Sequence, residues 1–200
     1  MKKLIGVILF IALVIGLWLW FLKKKPHDEE PKQLALKVGR HSTEFNKSVY
    51  DVIAGYLSLK DAFVDADTAK IKLQEKNFTA KLDSINISEL KKDTSGIFQS
   101  AQLQIGDIKS NADAILKETN ITEMRQDFRM VSENLFPLLK TIHYEGQKLY
   151  WQNCPMAFGE GKDASWISNT EEIINPYLGK NHPEFKNTML HCGEIQDTIQ

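Results

Sequence analysis

The sequence is poor in cysteine and lacks the short motifs that usually mark an active site. Its two cysteines, Cys154 and Cys192, are far apart, so there is no Cys-x-x-Cys pair of the kind used by thiol oxidoreductases and many zinc sites. A nucleophile elbow, a phosphate-binding glycine-rich loop and a His-Glu zinc motif are also missing. We therefore expect that this protein is not an enzyme.

Charge is absent from one long stretch near the N-terminus, which runs for 19 residues from Leu4 to Leu22. As a helix rising about 1.5 Å per residue, it nearly matches a hydrocarbon core about 30 Å thick. The small residues that a signal peptidase requires are missing from its end, which reads WLWFL, and the next alanine is Ala35. We therefore predict an uncleaved transmembrane anchor in residues 1–25 and a polar stalk in residues 26–41.

Basic residues are not in surplus beyond this anchor. The remaining chain carries 20 basic and 26 acidic side chains, a formal charge of -6, and this sign repels nucleic acid and anionic lipid. We therefore exclude nucleic-acid binding. Lysines flank the anchor on both sides. Basic flanks are more frequent on the cytoplasmic side of a membrane, and by this rule the lysine count slightly favours a cytoplasmic location for the folded domain.

Apolar residues recur at steps of three and four along residues 42–145, which predicts four amphipathic helices. Ser42, Asp67 and Asn120 are suited to cap the first, second and fourth helices, and the third is predicted from Thr94 to Leu116. Such helices can bury their apolar stripes only against one another. We therefore predict a mainly α fold built on an antiparallel four-helix bundle.

The apolar stripes also predict which face of each helix is buried. The first helix has a dense stripe, at Phe45, Val49, Val52, Ile53, Tyr56, Leu59 and Phe63. The second has a thin one, at Ala69, Leu73 and Ala80. The fourth has a regular one, at Ile121, Met124, Phe128, Val131, Leu135, Leu138 and Ile142. Pro137 lacks a backbone N–H, so we expect a kink or a break near Phe136.

The last part of the chain, residues 146–200, differs from the bundle because glycine and proline become frequent. Within this loop-rich tail, residues 148–153 (KLYWQN) could form a short β-strand. His182, before Pro183, is expected to be an exposed loop residue. Because the tail has few apolar residues, we expect it to need the bundle, a cross-link or a metal to stay ordered.

Both cysteines lie in this tail, and each is close to a methionine. Cys154 is followed by Met156, whereas Met189 precedes His191 and Cys192. Soft sulfur ligands and an imidazole suit copper, so these five residues could form a site for a copper ion. Alternatively, Cys154 and Cys192 could form a structural disulfide in an oxidising compartment. The spacing alone leaves both interpretations open, together with a third in which the two cysteines stay unpaired thiols.

Several segments resemble a known bacterial family. They are CPMA at 154–157, SWIS at 165–168, NPY at 175–177, Gly179, Met189, CG at 192–193, YLSLKDAF at 56–63, and Arg125, Phe128, Ser132 and Leu135. Together they resemble the family catalogued as domain of unknown function 3347, over about residues 45–195. Its members are envelope proteins, some linked to heavy-metal and copper efflux. The resemblance implies a periplasm-facing domain and a metal-associated role for Cys154, Met156, Met189 and Cys192.

Two function hypotheses follow. In the first, the chain is a single-pass protein of the bacterial inner membrane whose periplasmic domain binds a soft metal ion, such as copper, as an accessory to heavy-metal homeostasis or efflux. In the second, it is a non-catalytic interaction module that docks on another envelope protein, and its two cysteines form a structural disulfide.

Overall fold

Helical residues dominate the structure, a computed structural model that describes residues 18, 41–93 and 95–200. The predicted anchor, Leu4 to Leu22, lies outside the described residues apart from Trp18, and most of the predicted stalk does so as well. In the part of the chain that the structure describes, no helix is both long and apolar enough to cross a bilayer.

Within residues 41–93 and 95–200, four α-helices precede a small sheet, and the four helices agree in outline with the sequence prediction. The helices are α1 (Thr43–Asp65), α2 (Thr68–Asp83), α3 (Ile97–Lys117) and α4 (Ile121–Thr141), with a 3₁₀ helix (Ile87–Lys92) between α2 and α3. The strands are β1 (Leu149–Cys154), β2 (Ala164–Ser168) and β3 (Glu194–Ile199). Each α-helix packs against the next along the chain, and α4 also packs against β2.

The helix starts follow from side-chain caps. Ser42 accepts a hydrogen bond from the amide of Phe45, Asp67 from that of Lys70, and Asn120 from that of Thr122, which confirms the three predicted caps. The third helix begins after Gly96, whose φ of 86° is left-handed. Thr94, its predicted start, lies outside the described residues.

The buried faces of α1 and α4 agree with the predicted stripes, whereas that of α2 does not. Ala69, Leu73 and Ala80 are all exposed, and the buried apolar side chains of α2 are Ile71, Phe78 and Leu82. The cause lies on α1, where Gly55 has no side chain. A Cβ at Gly55 would lie 3.2 Å from the Cα of Phe78, so α2 can approach α1 closely only on that face.

Pro137 does not break α4, which continues to Thr141. Of the two outcomes predicted near Phe136, the break is therefore absent, and the kink stays a prediction. The proline is exposed and lies about one turn from the end of the helix. Its neighbours Phe136 and Leu138 are buried. Packing of these two side chains therefore holds the last turn in place although one backbone hydrogen bond is missing.

An aromatic cluster fills the space between α1 and α4. The ring of Phe128 stacks on Phe63, with centroids 4.6 Å apart, and on Tyr56, with centroids 5.3 Å apart. It also lies 6.0 Å from the ring of Tyr177 in the tail. Phe128 is fully buried, so this single side chain connects two helices and the C-terminal part of the chain.

The sheet has the order β2-β1-β3, and both pairings are antiparallel. β1 begins at Leu149, which confirms the predicted extended segment, whereas β2 and β3 were not predicted. The hydroxyl of Tyr56 joins the sheet to the bundle, because it accepts a hydrogen bond from the amide of Ile167 (3.1 Å) and pairs with the hydroxyl of Ser132 (2.7 Å). The tail is therefore fixed on the bundle by polar as well as apolar contacts.

Glu89 of the 3₁₀ helix holds the start of α1. Its carboxylate accepts hydrogen bonds from the amide of Ser42 (2.9 Å) and from the Ser42 hydroxyl, and lies 3.3 Å from Nδ1 of His41. These contacts, the Ser42 hydroxyl first among them, lower the pKa of Glu89 below its usual value of 4.5. The folded state therefore favours the ionised carboxylate.

Because the pKa of Glu89 is lowered on folding, its stabilising effect is complete above pH 4.5 and is lost as the pH falls through the folded pKa. Glu89→Gln is expected to lower the free energy of unfolding by about 1–2 kcal/mol at neutral pH. The difference from wild type should shrink in acid. Urea unfolding between neutral pH and pH 3 measures it, with the exposed Glu160→Gln as control. A difference that stays constant with pH would contradict this account of Glu89.

Candidate functional site: the disulfide-linked tail and its cavity

Cys154 and Cys192 form a disulfide, which is one of the interpretations that the sequence left open. Cys154 ends β1 and is fully buried, and Cys192 lies just before β3. Their Cα atoms are 5.6 Å apart, within the usual range for a disulfide. In this state neither sulfur is a thiolate, the form that binds a metal ion.

The other predicted copper ligands lie in different surroundings. Met156 is exposed in the turn that follows β1, whereas Met189 is half-buried and packs against the core. His191 is exposed, and its Nδ1 lies 2.8 Å from the carbonyl oxygen of Ile173. Among the described residues, no group of three or more His, Cys, Asp or Glu side chains is placed to hold a metal. Copper binding by Cys and Met ligands stays a prediction.

Asn175 positions the second cysteine. Its side-chain amide donates to the carbonyl of Cys192 (3.0 Å), and its backbone amide donates to the carbonyl of Leu190 (2.8 Å). Its side-chain oxygen accepts hydrogen bonds from the amides of Tyr177 (2.8 Å) and Leu178 (3.0 Å). Asn175 is fully buried. The Asn-Pro-Tyr segment therefore has a structural role, which is to order the chain around the disulfide.

Gly193 lets the chain pass from Cys192 into β3. Its φ is 143°, and a Cβ there would lie 2.8 Å from the carbonyl oxygen of Asn153 and 2.9 Å from the ring of Trp166. Only glycine fits this passage without displacing backbone or a buried indole ring. Gly193 therefore allows the chain to continue into β3 directly after the disulfide-bonded Cys192.

Tyr177 and Trp166 form the buried layer beneath the tail. Their ring centroids are 6.0 Å apart, and the hydroxyl of Tyr177 donates to the carbonyl of Ser165 (2.6 Å). Burial raises the pKa of Tyr177 well above its usual value, so the phenol stays protonated. These two aromatic side chains of the tail therefore pack as core.

A cavity of about 260 Å³ lies between the first turn of α4 and the tail. It is lined by side chains from residues 122–126 of α4, from the turn at 156–159, and from residues 177–185. Arg125 enters it from α4 and is only 3% exposed. Its Nε and Nη2 atoms have no hydrogen-bond partner among the residues that the structure describes. Burial lowers the pKa of Arg125 to about 10, which still leaves the guanidinium charged at neutral pH.

Gly179 closes the space next to this guanidinium. Its φ of 59° is left-handed, and a Cβ there would lie 3.1 Å from Nη2 of Arg125 and 2.7 Å from the carbonyl oxygen of Val64. The tail can therefore pass over the end of α1 only with glycine at this position. This close approach is what buries Arg125.

His182 lies at the same cavity, so its prediction as an exposed loop residue is wrong. The residue is half-buried, its ring stacks on Phe185 with centroids 4.9 Å apart, and its Nδ1 accepts from the amides of Glu184 and Phe185 (3.3 Å each). Burial, followed by the charge of Arg125, lowers the pKa of His182. The sequence did not lead to the prediction of Arg125 as a functional residue, although its position on the helix was a usable signal. Arg125 is four residues after Ile121 and three before Phe128, on the buried face of α4.

These features define a helical bundle domain whose disulfide-linked C-terminal sheet packs on the fourth helix. Residues 52–147 match a family model described as Protein of unknown function (DUF3347), which confirms the predicted resemblance to that family. The match covers most of α1 and extends to the end of the bundle, and it stops before β1. No curated protein and no solved structure matches the chain.

Proposed function

We propose that this chain is a non-catalytic interaction module of the bacterial envelope, held to the inner membrane by its single N-terminal anchor, with its folded domain in the periplasm. The Cys154–Cys192 disulfide carries the proposal, because disulfides persist in the periplasm and are rare in the cytosol. The domain docks on another envelope protein through its folded surface. The excess of acidic side chains is consistent with a protein partner rather than a nucleic acid.

The arrangement of Ser42, His41 and Glu89 supports a non-catalytic role. Ser42 hydrogen-bonds to Glu89 and caps α1 by accepting from the amide of Phe45, so its hydroxyl is already used. Nε2 of His41 lies 2.7 Å from the carbonyl oxygen of Ile142, and Nδ1 faces Glu89 rather than the serine. A nucleophilic serine needs the imidazole as its proton acceptor, and here no such contact is present.

A second candidate function is soft-metal binding, most naturally copper, as an accessory to heavy-metal homeostasis or efflux. Met189 and Cys192 favour it because they share one turn, in which the amide of Cys192 donates to the carbonyl of Met189 (3.0 Å). An external dithiol, oxidised to its own disulfide, would supply the two electrons and two protons that convert the Cys154–Cys192 disulfide into two thiols beside this methionine. Thiolate and thioether sulfur are ligands that select Cu(I).

The thiol state of the full-length protein tests the first proposal. Protein extracted from bacterial membranes without reductant is expected to take up no alkylating reagent, and to take up two equivalents after reduction, as measured by intact mass. Two alkylated thiols in the untreated protein would show that the disulfide does not form in the cell, and would remove the support for a periplasmic domain.

Titration of the reduced full-length protein with Cu(I) tests the second candidate. Binding is expected in wild type and in Met130→Leu, which changes an exposed methionine of α4, and it should be lost when Cys154 and Cys192 are both changed to serine. Met189→Leu should weaken it. Equal binding by the serine variant and wild type would exclude a site at these cysteines.

A further inference from the structure

The guanidinium of Arg125 is buried, and two of its three nitrogens have no hydrogen-bond partner among the described residues. The residue is 3% exposed, and the two nitrogens are Nε and Nη2. A buried charge without a counter-ion destabilises a fold unless something compensates for its lost hydration. The unpartnered N–H groups of Arg125 therefore indicate a ligand that supplies the missing hydrogen-bond acceptors.

The cavity beside Arg125 has the character of a small-molecule site. Phe158, Tyr177 and Phe185 contribute aromatic walls, and Thr122 and Gln126 contribute polar groups from α4. The exposed lining is about half polar and half apolar, which suits a ligand with one charged end and one apolar end. The volume of about 260 Å³ limits the occupant to a compact molecule of about one ring. Met156, which lines the cavity, is two residues after Cys154, but neither cysteine lines it, and the site proposed here does not rest on the function proposed for the disulfide.

We propose that this cavity binds a small organic monocarboxylate, with its carboxylate on the guanidinium of Arg125 and its apolar part against Phe158, Tyr177 and Phe185. The planar guanidinium offers parallel N–H donors that match the two oxygens of one carboxylate. A phosphate could use the same donors. However, Glu184 also lines the cavity, and its negative charge opposes a dianion more than a monoanion.

Isothermal titration of the full-length protein in detergent tests this site, with benzoate, benzamide and phenyl phosphate as probes. Benzoate is expected to bind at one saturable site, and benzamide, which keeps the ring but lacks the charge, about tenfold more weakly or worse. Failure of benzoate to saturate at about 10 mM would overturn the proposal. Phenyl phosphate that binds more tightly than benzoate would overturn the choice of a carboxylate.

Arg125→Gln is expected to weaken benzoate binding at least about tenfold. The matched control is Arg129→Gln, which removes a guanidinium one turn further along α4, where it pairs with Glu133 (2.7 Å). The control should bind benzoate as wild type does. Equal binding by Arg125→Gln and wild type would contradict the proposal.

A second variant keeps Arg125 unchanged in case its replacement prevents folding. Met156 is 38% exposed at the cavity, so Met156→Trp can add bulk there without a new core clash. We expect this variant to weaken benzoate binding about tenfold. Unchanged affinity in Met156→Trp, together with unchanged affinity or no folded protein for Arg125→Gln, would reject the cavity as the binding site.

Discussion

Replacement of both Cys154 and Cys192 by serine is expected to lower the free energy of unfolding by about 4 kcal/mol. The disulfide closes a loop with a sequence separation of 38 residues, and its loss returns that conformational freedom to the unfolded chain. The tail should suffer most, because Cys192 connects the loop at 155–191 to β1. The change can be measured by urea unfolding of the full-length protein without reductant, with near-ultraviolet circular dichroism as the signal that monitors unfolding.

Reductant provides the matched control for this prediction. Reduced wild type should unfold at nearly the same urea concentration as the serine variant, and the serine variant should not respond to reductant. A reduced wild type that is as stable as the oxidised protein would contradict a stabilising role for the cross-link.

Phe128→Ala is expected to cost about 3–5 kcal/mol of folding stability, the range for loss of a buried phenylalanine side chain. Phe128 stacks on Phe63 and Tyr56 and lies near Tyr177, so the cavity left by alanine would separate α1, α4 and the tail at once. Thermal or urea unfolding checks the loss, provided that the variant still folds at low temperature.

Phe128→Leu is the control for volume and stacking, because it keeps most of the apolar volume and removes only the ring. We expect it to lose less than half as much stability as Phe128→Ala. A loss below about 1 kcal/mol for the alanine variant would show that the surrounding helices collapse into the space, and that the aromatic cluster is not a rigid core.

The faces of α1 and α4 could be predicted because their apolar residues are dense enough to leave one possible buried side. In α2 the pattern is ambiguous, since Leu73 and Phe78 lie on different faces and each could be the buried one. The choice depends on Gly55 of α1, which admits the backbone near Phe78, and Leu73 remains 58% exposed. The buried face of α2 is therefore set by its contact with α1, which the spacing of apolar residues within α2 does not reveal.

The tail shows the same limit in its strands and in its candidate site. β3 is exposed at five of its six positions, so it has almost no apolar pattern, and its pairing with β1 decides that it is a strand. The disulfide could be predicted as one of the alternatives, because each of the two cysteines has only one possible partner. Arg125 was not foreseen, because it is buried by the distant segment around Gly179 rather than by its own helix.

The position of the disulfide also decides how this protein responds to proteolysis. Every peptide bond between residues 155 and 191 lies inside the loop that Cys154 and Cys192 close. A single cut there opens the loop but leaves both fragments covalently joined, so the nicked chain keeps its intact mass plus one water. The fragment that carries β3 can leave β1 only after a reductant has acted.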